Sequence, residues 1–234
     1  MKFLAIIPAR KGSKTIKNKN LKKFNKKPLI YWTIKAAKDS KCFDKIIVTT
    51  DSAQIQNISK KLQVECPYLR NKKLSGDKSK MHDVILDVIK YYKNKNYFPD
   101  VVVLLQPTSP LRDKNDIKKC CQKFKKIKPD SLVSITKVPH NFNPENLYII
   151  KKNFLMNYKT KREILIPRQI SNKYYGRNGA SLYMTNIKRI KKYILGGKII
   201  YYIMNNLKSI DINDIEEFQL AEIIQKNLDI IFKK

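Results

Sequence analysis

Short, nearly continuous apolar runs recur along the first half of the chain, each followed by a longer segment whose apolar residues fall three and four apart. The runs are 3–7 (FLAII), 46–50 (IIVTT), 101–105 (VVVLL) and 131–135 (SLVSI). Their length and β-branched content are those of strands covered on both faces. Between them lie helical stripes: Leu29, Ile30, Ile34 and Ala37 after Pro28; Ile55, Ile58 and Leu62 after Asp51-Ser52; Met81, Ile85, Val88, Ile89 and Tyr92; and Ile117, Cys121, Phe124 and Ile127. Strand–helix–strand alternation implies parallel strands joined by crossover helices, hence an α/β fold around an open, mostly parallel sheet. From about residue 139 to 178 the rhythm changes to short strand-like pieces, prolines and no clear helix, which reads as a β-rich arm inserted in a single domain of residues 1–234. The alternation resumes with ASLYM (180–184), a helix near 186–193, IIYYI (199–203) and a closing helix from about 214 to 230.

Ligands of open α/β sheets bind beyond the carboxyl ends of the strands. The segments to inspect are therefore PARKGSK after the first run, TTD after the second and QPTSPLR after the third. In the first, a turn with Gly12 and Ser13 offers backbone N–H groups and a hydroxyl to an anion, and Arg10, Lys14 and Lys19 neutralise polyphosphate oxygens. It is not a P-loop, because no glycine precedes Gly12 and the order is Gly-Ser-Lys-Thr. In the third, Gln106 stands at the mouth of the sheet as a hydrogen-bonding group for a sugar or phosphate, with Arg112 as a further cation. Ser79, before the third helix, either reaches a nucleotide or caps the helix. His82 reads as a surface or packing residue and Asp51 as a helix N-cap.

Composition narrows the class. The 234 residues carry a net charge of +31, yet the lysines are spread along the whole chain beside abundant Ile, Asn and Tyr, as a solvated coat rather than a nucleic-acid-binding arm. A nucleic-acid partner is therefore not expected, although the charge attracts anionic small molecules. No apolar run approaches the roughly 18 residues of a membrane helix, and the opening apolar stretch is too short for a secretory signal, so a cytoplasmic protein is expected. Cys42, Cys66, Cys120, Cys121, His82 and His140 show no zinc-ligand spacing, and the cysteines read as free, mostly buried thiols.

Five blocks in order, IIPARKGSKTIKNKNL, VTTD, LLQPTSPLR, RQ…YYGRNGASLY and SIDINDIEEF, resemble the acylneuraminate cytidylyltransferases, the CMP-sialic acid synthetases, over roughly residues 4 to 220. The resemblance implies a three-layer, nucleotide-diphospho-sugar transferase-like fold. It also implies transfer of CMP from CTP to a nonulosonic (sialic-acid-like) keto-sugar acid, with Mg²⁺ and release of pyrophosphate. By resemblance, Arg10, Gly12, Ser13, Lys14 and Asn20 fall on the nucleotide loop, Gln106 between nucleotide and sugar, and Arg168, Arg177, Asn178 and Tyr183 on the sugar cleft. Asp211 falls on the first metal-binding aspartate. Where the family writes Asp-x-Asp, this chain has Asp211-Ile212-Asn213, so Asn213 either weakens the metal site or caps the last helix. The resemblance further implies a homodimer, with the 139–178 arm reaching the partner's cleft. A Kdo-type cytidylyltransferase, a catalytically impaired nucleotide binder and a basic nucleic-acid-binding protein are the alternatives.

Overall fold

The computed structural model describes residues 1–158, 172–179 and 181–231. Its elements are β1 (Phe3–Pro8), β2 (Lys23–Phe24), β3 (Lys27–Pro28), α1 (Leu29–Ser40), β4 (Lys45–Thr49), α2 (Ala53–Lys61), α3 (Met81–Lys93), β5 (Val101–Leu104), α4 (Lys114–Ile127), β6 (Ser131–Lys137), β7 (Tyr148–Lys151), β8 (Phe154–Asn157), β9 (Tyr175–Arg177), β10 (Tyr183–Asn186), β11 (Ile199–Ile203), α5 (Ile215–Lys226) and α6 (Leu228–Ile231). The main sheet runs β11-β6-β10-β5-β1-β4, with β9 also paired to β6.

Side chains of β1 alternate between two cores, as a strand of period two must when both faces are covered. Phe3, Ala5 and Ile7 join Ile30 and Ile34 of α1, Ile55 of α2 and Ile117 and Phe124 of α4. Leu4 and Ile6 pack against Ile85, Val88, Ile89 and Tyr92 of α3 on the other side. Three layers result, as the alternation predicts. A third cluster joins Ile16, Phe24 and Leu29 to Leu111, Ile212, Phe218 and Ala221, and so draws the 210–213 segment against the loop after β1.

Pairing is parallel between β1 and β4, β1 and β5, and β11 and β6, but β10 runs antiparallel to both β5 and β6. The reversal has a topological cause. Among the described residues no crossover helix precedes β10; the chain enters it from the arm, which leaves the carboxyl end of β6, so β10 starts at that end. Gly179 and Tyr183 therefore arrive beside the loops that follow β1 and β5.

Three features depart from the sequence reading. Residues 187–195 form turns, not a helix. The Asn186 side chain accepts from the Lys188 amide at 3.0 Å, a local bond that competes with helix. The closing helix breaks at Asn227, whose side-chain amide donates to the Ile223 carbonyl at 2.8 Å. The small β2–β3 hairpin was not anticipated. Its central residues Asn25 and Lys26 both have positive φ (45° and 66°), the geometry of a type I′ turn without the usual glycine signal.

Candidate active site

Segments after β1, after β5 and between α2 and α3 surround a cleft of about 300 Å³. Arg10, Gly12, Ser13, Lys19 and Asn20 line it from the segment after β1, Arg70 from beyond α2, Ser79 and Asp77 from the approach to α3, and Gln106 and Thr108 from the loop after β5. Local bonds hold the first of these segments in shape. The Lys11 amide donates to Asp51 Oδ1 at 2.7 Å, and Asn20 Nδ2 donates to the Arg10 carbonyl at 3.0 Å. Asp51 is thus a clamp on the basic loop, while Ser52 takes the N-cap of α2. Lys19 Nζ reaches across to the Ile212 carbonyl at 2.8 Å. Burial, aided by the repulsion of Arg10, holds the Lys19 ammonium below its ordinary pKa against the pull of Asp211 and Glu217. Arg70 is buried, its Nε donates to Ser75 Oγ at 3.3 Å, and burial lowers its pKa. Asp77 meets two cations at the mouth, with Arg10 Nη1 at 2.5 Å and Lys14 Nζ at 3.2 Å.

A second cavity, of about 580 Å³, adjoins the first and shares Gln106 and Met81 with it. Arg177, Gly179, Tyr183, Asp211, His82 and Lys192 are among its walls. Tyr183 Oη donates to the Gly179 carbonyl at 2.9 Å. Gly179 adopts φ +64°, and a Cβ there would stand 2.4 Å from the Asp211 carboxyl group. Glycine is required both by the left-handed backbone and by this approach. Asp211 Oδ1 accepts a long bond, 3.4 Å, from Ser109 Oγ, and the Thr108 carbonyl accepts from the Ile212 amide at 2.8 Å. The loop bearing Gln106 thereby carries the aspartate.

The expected residues divide accordingly. Arg10, Gly12, Ser13, Asn20, Ser79 and Gln106 meet at the first cavity; Gln106, Arg177, Tyr183 and Asp211 meet at the second. Lys14 sits at the rim, 75% exposed, tied to Asp77. Asn178 lies beneath the wall instead of on it: it is 4% exposed, accepts from Ser134 Oγ at 2.8 Å and donates to Ser209 Oγ at 3.1 Å. Asn213 does not cap α5. Asp214 does, accepting from the Glu217 amide at 2.9 Å, while Asn213 Nδ2 donates to the Asp211 carbonyl at 3.0 Å. Arg168 lies outside the described residues. Arg70 and Asp77 escaped the sequence reading, since one arginine among 50 Lys and Arg residues carries no distinguishing signal. His82 lines the second cavity and bonds through Nε2 to the Ile190 carbonyl, a more central place than expected.

Among the described residues no group of three His, Cys, Asp or Glu side chains is gathered to hold a metal. Asp211 Oδ2 nevertheless accepts no hydrogen bond among them. A hard carboxylate with a free oxygen beside a cationic cleft fits Mg²⁺, which takes one or two carboxylates and completes its shell with phosphate oxygens and water.

Residues 4–231 match the cytidylyltransferase family. The N-acylneuraminate cytidylyltransferase of Escherichia coli is 34% identical over 232 residues, 96% of this chain and 52% of that protein. The chain thus spans about half the length of that relative. The pseudaminic acid cytidylyltransferase of Campylobacter jejuni is 27% identical over 97% of each chain. Among solved structures, a CMP:2-keto-3-deoxy-manno-octonic acid synthetase complexed with CTP superposes with a TM-score of 0.71, covering 97% of this chain and all of that one at 14% identity. That likeness shows a shared fold.

Proposed function

The chain belongs to the cytidylyltransferase family, and from that premise we propose that it transfers CMP from CTP to the anomeric hydroxyl of a nonulosonic acid, releasing pyrophosphate. One observation carries the reading: Gln106 stands on the seam of two joined cavities, one ringed by Arg10, Lys19 and Arg70, the other by Arg177, Tyr183 and Asp211. A triphosphate suits the first and a keto-sugar acid the second, with Gln106 within reach of both. The acceptor oxygen bonds to the α-phosphorus as the bond to the β-phosphate oxygen breaks in line. Catalysis of such a displacement is chiefly positioning and charge neutralisation. Arg10 and Lys19 offset the charge that gathers on the departing pyrophosphate, Lys14 joins them once Asp77 releases it, and Ser13, Asn20 and Ser79 supply hydrogen bonds to the nucleotide. Arg177 attracts the sugar carboxylate. Mg²⁺ held by Asp211, when bound, supplies Lewis-acid stabilisation of the phosphate oxygens.

The protein is expected to act in the cytoplasm and as a homodimer. The β7–β8 hairpin supports the latter, for it forms a separate two-stranded sheet on which Ile150 and Phe154 are 76% and 74% exposed. A lone hairpin of this kind is at best marginal in water, and a second copy would cover apolar side chains that both of its faces expose, Ile150 on one and Phe154 on the other. Sedimentation at micromolar concentration checks this; a monomer contradicts it.

Incubation with CTP, Mg²⁺ and a panel of nonulosonic and octulosonic acids, followed by mass detection, should yield a CMP conjugate of a nine-carbon acid. Turnover of only the eight-carbon acid would reassign the substrate. CTP binding without any conjugate would leave a nucleotide binder.

A further inference from the structure

Arg112 ends the QPTSPLR loop, where the sequence reads it as a further cation. It is 1% exposed, the largest fully buried side chain among the described residues. Its Nη1 donates to the carbonyls of Gln106 (3.4 Å) and Ser181, and its Nη2 to Thr33 Oγ1 (2.9 Å). All three acceptors are uncharged. A buried guanidinium without a paired carboxylate is costly, and an apolar side chain of similar volume would fill the same space more cheaply. What an apolar residue lacks is a rigid fork of donors that engages three separate segments at once.

Those segments matter by location. Gln106 stands where the two cavities join; Ser181 lies between Gly179 and Tyr183, both on the second cavity; Thr33 belongs to α1 and anchors the pair to the core. We infer that Arg112 is a positioning residue for the transfer: it touches no substrate but fixes the Gln106 peptide against the Ser181 segment, and so sets the spacing between nucleotide and acceptor. The inference rests on the reaction proposed above. Loss of about 1 Å in such spacing lowers turnover by about 100-fold without abolishing binding.

The test uses Arg112→Lys and Arg112→Gly in the full chain. In the lysine variant, which keeps the charge but not the fork, kcat/KM for the acceptor should fall by about 100-fold while the Kd for CTP moves by less than about threefold. Guanidinium ion at low millimolar concentration should restore at least about tenfold of the activity lost in the glycine variant. Should the glycine variant fail to fold, the lysine variant decides. Parallel loss of CTP affinity and acceptor turnover, or no change in either, overturns the inference. Hydrogen exchange separates it from the reaction itself: in Arg112→Lys, amides of 105–109 and 181–185 should lose protection together while those of β1 keep theirs. Unchanged protection refutes the positioning role whatever the activity. Absence of any CMP conjugate from the wild type refutes the reaction alone.

Discussion

The two cavities that meet at Gln106 are assembled in opposite ways. Most cations and donors of the first come from one stretch, Arg10 to Asn20, folded back on itself by Asp51 and by the Asn20 side chain. The second collects Gln106, Arg177, Tyr183 and Asp211 from segments far apart in the chain, and at Gly179 it leaves no room for a Cβ beside the Asp211 carboxylate. An anion site needs only charge and donors near a strand end, so it tolerates small displacements. A site for bond formation needs distant backbones at fixed spacing, so it does not. Damage to the first should appear mainly in affinity, damage to the second mainly in turnover.

Asp211→Asn offers the largest expected effect. It keeps the shape and removes the charge, and turnover with Mg²⁺ should fall by about 100-fold or more. A variant with normal turnover would dissolve the contrast between the cavities. Gly179→Ala comes next. The positive φ and the contact with Asp211 together should displace the carboxylate, costing about 30-fold in turnover and lowering the melting temperature, with CTP affinity little changed. Arg10→Ala should weaken CTP binding by about tenfold, as loss of a charge-assisted hydrogen bond does, and leave the melting temperature nearly unmoved. Calorimetric titration giving wild-type affinity would remove the basic loop from the site.

Asp77 sharpens the comparison from the other side, because its carboxylate sits on the two cations that an incoming triphosphate must engage. Asp77→Asn should tighten the binding of inorganic tripolyphosphate by about two- to fivefold; weaker binding would make Asp77 part of the recognition surface. The smallest effect is one of pH. Arg10 and then Lys14 hold the Asp77 carboxyl below the usual carboxylate range. A depressed folded-state pKa means that the pair's stabilisation is fully present above the unfolded value near 4 and is lost as pH falls through the folded value. The melting difference between wild type and Asp77→Asn should thus be small at neutral pH, begin to shrink below about pH 4 and vanish once pH falls past the lowered folded value, and a difference that grows in acid would contradict the pairing.

Strands and helices of the sheet were legible because both faces of β1, β4, β5 and β6 are covered, and coverage demands runs of apolar side chains that no loop needs. The basic loop was legible for a similar reason: its chemistry is contiguous. Arg112 was legible as a further cation after a strand, and only packing reveals a guanidinium turned inward onto Gln106, Ser181 and Thr33. Asn178 misled, since its neighbours Arg177 and Gly179 face the cavity while its own amide is spent on Ser134 and Ser209. Asn213 carried two readings, and the competition at the helix start was decided by Asp214, one residue on.

The residues alone determined the layered α/β body, the basic turn beyond the first strand and the family to which the chain belongs, because apolar periodicity and contiguous motifs survive without coordinates. Only the tertiary structure decided that β10 enters reversed from the arm, that Gly179 must admit the Asp211 carboxylate, and that Arg70 and Asp77 join the nucleotide cleft. Those outcomes depend on which distant backbones a closed core brings within bonding distance, and spacing along a chain does not encode that in any single stretch.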